Sequence, residues 1–160
     1  MFARTLARTT SLAFLLTAAA ALLTLSHASL RAASDPWTPA QTVQPADLVK
    51  ELGNPKKAPT VAFIGFGRLF WAGHIPGAQN HGMAGSSAGL LELKTWASTL
   101  PRSTNLVIYC GCCPMDHCPN VRPAFIALRD LGFTKVRVLI LPTDFAADWA
   151  GKGYPFDRGQ

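Results

Sequence analysis

Nine consecutive residues, Cys110-Gly111-Cys112-Cys113-Pro114-Met115-Asp116-His117-Cys118, hold all four cysteines of the chain. A thiolate is a nucleophile and a soft metal ligand, and clustered thiols also exchange with disulfides. Three chemistries follow. Cys110 can carry a transferred group covalently, with Gly111, Cys112 and Cys113 beside the incoming substrate. Cys112, Cys113 or Cys118 can resolve an oxidised Cys110 or form a crosslink, and vicinal Cys112 and Cys113 would bridge each other only with strain. That leaves Cys118 with Cys112 or Cys113 as the easier disulfide. Alternatively, Cys110, Cys112, Cys113, His117 and Cys118 offer a ligand set for zinc, copper(I) or an iron–sulfur centre. Cys-x-Cys-Cys is not a usual zinc-finger spacing, and further ligands would have to come from His74 or His81. Asp116 and His117 read first as solvated loop residues.

The elements flanking these residues favour the nucleophile. Asn105-Leu106-Val107-Ile108-Tyr109 is an apolar run of strand length ending on Cys110. After the loop, Val121, Ala124, Phe125, Leu128 and Leu131 recur at helical spacing, and Gly132 supplies a C-cap. A cysteine between a strand end and a helix start meets unpaired backbone N–H groups and the positive end of the helix dipole, which favour its thiolate. Two more strands are expected at Thr60–Ile64 and Lys135–Leu141. Helices are expected at Gln44–Leu52, from Leu90 to Leu100, and at Thr143–Ala150. Ser29–Val43 reads as an extended lead-in, Gly85–Gly89 as a flexible connector, and the segment after Ile64 as loop. Trp71, Trp96 and Trp149 are expected in or at the edge of the core, whereas Trp37 has no assignment. Alternation of strand and helix predicts an α/β domain, with a parallel sheet covered by helices on both faces.

The chain has 160 residues, 49% hydrophobic and 15% charged, which excludes whole-chain disorder. Part of that apolar excess lies at the start. Arg4 and Arg8 precede an uncharged run from Ser11 to Leu25, and Ser26-His27-Ala28 offers small residues for cleavage after Ala28. This order predicts a secretory signal peptide over residues 1–28, with export to a bacterial periplasm or the exterior and no stable membrane span after cleavage. Net charge is +6 for the whole chain, and Lys56-Lys57 is the only adjacent basic pair in the mature part. So thin a pattern excludes a nucleic-acid partner and leaves a mild preference for anionic substrates.

Two motifs carry a family resemblance. Gly73-His74-Ile75-Pro76-Gly77-Ala78 and the strand Leu106–Tyr109 delivering Cys110 into a loop together resemble the rhodanese family of sulfurtransferases. Leu131-Gly132-Phe133, Val136, Trp149 and Gly153-Tyr154-Pro155 are similar to that family as well. The resemblance implies a rhodanese-like domain over residues 44–157. It also implies that a Cys110 persulfide receives sulfur from a small anionic donor and passes it to a thiol or other acceptor, without a cofactor. Arg122 is the candidate anion contact, and His74 is expected to fix its turn by bonding backbone. Where the family usually carries Asp and Arg in the first strand, this chain has Phe63 and Gly65, and its cysteine loop is longer than usual. The alternative on the same scaffold is a thiol-redox or metal-binding module without enzymatic activity.

Overall fold

A computed structural model describes residues 35–159. The expected signal peptide and the first part of the lead-in lie outside these residues. Five parallel strands form one sheet in the order β1-β5-β4-β2-β3: β1 Thr42–Val43, β2 Thr60–Phe63, β3 Gln79–Asn80, β4 Leu106–Tyr109 and β5 Val136–Leu139. The three central strands are the apolar runs legible in the sequence, as a sheet covered on both faces requires. Both edge strands have only two residues, which leaves little unpaired backbone exposed.

Successive residues on each strand face opposite layers. Ala62, Ile64, Leu106, Ile108 and Val138 pack with α3 (Ser87–Ser98) and α4 (Val121–Asp130). Val61, Phe63, Val107, Tyr109 and Leu139 pack on the other side with Leu48 of α1 (Pro45–Leu52), Phe70 of α2 (Gly67–Ala72) and Trp149, just beyond α5 (Phe145–Asp148). The α4 helix ends as its sequence suggests. Gly132 takes φ of 90°, the Phe133 N–H reaches the Leu128 carbonyl at 3.1 Å, and the Gly132 N–H reaches that of Arg129 at 2.9 Å.

Several local expectations need correction. The segment after Ile64 contains the short helix α2, whose six residues are too few to show a period. Ser87, Ala88 and Gly89 belong to α3 rather than to a connector. The Ser86 hydroxyl accepts the Gly89 N–H at 3.1 Å, and any Cβ on Gly89 would collide with the Met83 backbone. The last helix is shorter than Thr143–Ala150 and starts from an Asp144 cap on the Ala147 N–H at 2.7 Å. The lead-in joins the fold before residue 44: Val43 is buried on edge strand β1, and Trp37 is buried edge-to-face against Phe125 at 5.6 Å. Trp71, expected at the core, is 42% exposed on α2. Among the described residues no helix is long and apolar enough to cross a membrane.

Candidate functional site

Cys110 follows the last residue of β4, and the six-residue turn is fastened to the same strand end. The buried Tyr109 hydroxyl accepts the Ile75 N–H at 3.1 Å, so the two sequence motifs form one structural unit. Burial holds the Tyr109 phenol protonated, well above its ordinary range. His74 does what its turn position suggests. It stacks on Phe70 at 3.9 Å between ring centroids, and its Nδ1 donates to the Phe70 carbonyl at 2.9 Å.

The loop brings three of its sulfurs together. The Sγ atoms of Cys110, Cys112 and Cys118 all lie within 4.8 Å of one another. Cys112 Sγ stands 3.0 Å from that of Cys110 and 3.2 Å from that of Cys113, and all four cysteines are free thiols. Cys110 and Cys112 thus approach closely, a pairing that spacing did not single out in pointing to Cys118 with Cys112 or Cys113. His117 lies outside the cluster, with its side chain 81% exposed beside Asp116. A metal set that includes His117 is therefore not assembled. The thiols that could hold a soft ion are Cys110, Cys112 and Cys118, with Cys113 adjoining.

Ionisation is divided unequally among them. Cys118 is buried ahead of α4, and its thiol is held well below the ordinary range. The chief cause is its hydrogen bond with Cys110, and the backbone N–H groups of Asn120 and Val121 add to it against the cost of burial. Cys110 moves the opposite way. As the partner that keeps its proton beside Cys118, and as a buried group, it is pushed far above the ordinary range. Desolvation and the neighbouring thiols push Cys113 up to about 12. Cys110 and Cys118 thus titrate as one coupled pair that favours a single thiolate, a property that strand-end position alone assigned to Cys110.

Asn120 is the residue that sequence reasoning missed. Its Nδ2 donates to Cys110 Sγ at 3.3 Å, while its Oδ1 accepts the Gly85 N–H at 2.8 Å, which fixes which end of the amide faces the sulfur. An Asn directly before a helix reads as a cap, but this side chain caps nothing in α4. Gly65 is the second such residue: a Cβ there would stand 2.9 Å from Cys110 Sγ and 2.7 Å from the Phe63 ring, so only glycine leaves the sulfur its space.

A cleft of about 320 Å³ reaches Cys110, Gly111 and Cys112 from the side of α2 and α5. Its walls are Phe63, Leu69, Ala72, Gly73, Phe145, Ala146, Ala150 and Phe156, with Asp144 and Arg158 as the charged members. Gly111 turns away from the strand with φ of 65°, and its carbonyl accepts the Phe145 N–H at 3.0 Å. Arg122 and Cys113 do not line this cleft. Arg122 pairs with Asp35 at 2.6 Å and donates to the Met115 and Asp116 carbonyls at 3.3 and 3.4 Å, so it braces the cysteine loop.

The parallel five-stranded architecture has solved counterparts. The rhodanese-like domain of the Alr3790 protein from Anabaena sp, solved by NMR, is 22% identical with a TM-score of 0.55, covering 74% of this chain and 79% of that one. A crystal structure of the Alr3790 protein, also 22% identical, gives a TM-score of 0.57 over 72% of this chain and 82% of that one. The fold is rhodanese-like. No protein-family model matches the sequence, and no curated protein does. On this rhodanese-like fold the cysteine-rich loop occupies the C-terminal end of the sheet, where a parallel α/β architecture gathers its ligands.

Proposed function

We propose that this chain is an exported sulfurtransferase that carries sulfane sulfur on Cys110. The observation that carries the reading is the convergence of three sulfurs at the end of β4, one of them favoured as a thiolate, beside a cleft that reaches Cys110. The clustered thiols share one negative charge, the nucleophilic form is the one in which that charge lies on Cys110, and Asn120 Nδ2 donates to that sulfur. The Cys110 thiolate attacks the outer sulfur of the donor. The donor's S–S bond breaks, its electron pair leaves with sulfite or an equivalent anion, and Cys110 holds a persulfide. An acceptor thiolate or cyanide then takes the outer sulfur and restores the Cys110 thiolate. Where no acceptor arrives, Cys112 Sγ, 3.0 Å away, can attack the inner sulfur of the protonated persulfide, forming a Cys110–Cys112 disulfide and expelling hydrosulfide.

The test is intact-mass measurement of the reduced protein after exposure to thiosulfate. The wild type and Cys113→Ser should gain one sulfur atom, or lose two hydrogens where Cys112 has closed the disulfide, Cys112→Ser should gain one sulfur atom, and Cys110→Ser should gain none and lose thiosulfate cleavage by about a thousandfold or more. An unmodified wild-type loop would overturn the assignment. A second reading rests on the same cluster, because three thiols within 4.8 Å also suit a soft metal ion. Stoichiometric metal in the protein as purified, released on Cys118→Ser, together with no persulfide on the wild type, would favour that reading.

A further inference from the structure

We propose that the cleft in front of Cys110 selects an organic sulfane-sulfur anion, such as an aryl or alkyl thiosulfonate, over inorganic thiosulfate. The inference rests on the sulfur-transfer reading and adds the class of donor. A small inorganic dianion is recognised by converging N–H groups and cations, whereas an organic donor needs an apolar wall for its body. This cleft supplies the wall. Phe63 forms buried floor beside the sulfur, Leu69 and Ala72 of α2 line one side, and Phe145 and Phe156 line the rest. The two phenyl rings stand edge-to-face with centroids 6.3 Å apart. At about 320 Å³ the space exceeds the needs of a bare sulfur oxyanion and accommodates a ring-sized substituent.

The charges agree with an anion that has an apolar body. Among the described residues Arg158 is the only cation lining the cleft, and it lies over the Phe156 ring at 5.2 Å, so it lends positive charge to an aromatic surface. Asp144, the one acid there among the described residues, already accepts the Ala147 N–H at 2.7 Å as the cap of α5. The chemistry balances without an added reductant. The Cys110 thiolate attacks the terminal sulfur of the thiosulfonate, the S–S bond breaks, and the sulfinate departs with the electron pair. Two monoanions react and two monoanions result, the Cys110 persulfide and the sulfinate.

The experiment compares benzenethiosulfonate with thiosulfate as donors to the full mature chain, with cyanide as acceptor. Benzenesulfinate binding is followed separately by calorimetry. We expect kcat/KM for benzenethiosulfonate to exceed that for thiosulfate by about tenfold or more, and Ala72→Trp, which fills the cleft, to erase that ratio. The same variant should abolish benzenesulfinate binding, with its fold checked by circular dichroism. Phe156→Ala should reduce the ratio by a smaller factor. Transfer from both donors with a ratio near one, unmoved by Ala72→Trp, overturns this inference and leaves sulfur transfer standing. Transfer from neither, with benzenesulfinate still bound in a manner sensitive to Ala72→Trp, overturns sulfur transfer and upholds the cleft as a site for organic anions. Loss of both transfer and binding overturns both.

Discussion

On the face of the sheet covered by α3 and α4, the groups around Cys110 are polarisable and hydrogen-bonding: Cys112, Cys118 and the amide of Asn120. On the face covered by α2 and α5, they are the aromatic side chains Phe63, Phe145 and Phe156. Neighbouring residues on one strand serve the two faces. Tyr109 points into the aromatic layer and fastens the Gly73–Ala78 turn, while the next residue, Cys110, joins the sulfur cluster. The groups that bear on ionisation thus lie on one side and the aromatic cleft on the other. The period of two along a β-strand makes that separation possible within two residues.

The comparison breaks first at Cys118. Cys118→Ser removes one member of the coupled pair that favours a thiolate, and sulfur transfer at neutral pH should fall by about tenfold to a hundredfold. The sign of the pH effect follows from the depressed Cys118 ionisation. Wild-type transfer should persist as pH falls below the ordinary thiol range and disappear only when Cys118 is protonated. The variant must ionise Cys110 without that partner, so its profile should move to higher pH, as steady-state rates across a pH series would reveal.

Gly65 sits where the two faces touch. Gly65→Ala places a methyl group against both Cys110 Sγ and the Phe63 ring, and should cost about 1–3 kcal/mol in urea unfolding. Its loss of persulfide yield should exceed that of a surface control, because the sulfur itself must move. Asn120→Ala sharpens the view of the sulfur face alone. It leaves the Gly85 N–H without its partner and removes the donor to Cys110, for about 1 kcal/mol of stability and a lower transfer rate, with benzenesulfinate binding retained.

The smallest effect belongs to the opposite end of the strands. Arg137 grips Glu51 through bonds of 2.7 and 2.6 Å and also reaches Asn105 at 3.0 Å, tying β5 to α1 far from the sulfurs. Glu51→Gln should cost no more than about 1 kcal/mol, because the pair is partly exposed. The hydrogen bond to Arg137 holds the Glu51 carboxyl below its ordinary value. Its contribution is therefore fully present above that value and is lost as pH falls through the lower folded value. The stability gap between wild type and variant should close in acid, while sulfur transfer at neutral pH stays at the wild-type level.

Much of this architecture was legible without coordinates. Thr60–Phe63, Leu106–Tyr109 and Val136–Leu139 are apolar runs too short for helices, and α4 declares itself by its spacing and by Gly132. Periodic burial leaves a periodic sequence. The short pieces left no such trace: α2 spans six residues, and β1 and β3 two each, so their pairing depends on neighbours distant in the chain. Trp37 illustrates the same limit, because its burial is decided by Phe125 on a helix nearly ninety residues away.

Sequence alone determined that a strand must deliver Cys110 into a loop crowded with thiols, because apolar periodicity and cysteine spacing are local properties. Only tertiary structure decided that Cys110 and Cys118 titrate as a coupled pair, that Asn120 faces the sulfur, that Arg122 turns away to Asp35, and that aromatic side chains from three separate segments enclose the cleft. Each of these depends on dielectric, hydrogen-bond partners and distances through space. Such quantities arise only when residues remote along the chain are brought within a few ångströms of one another.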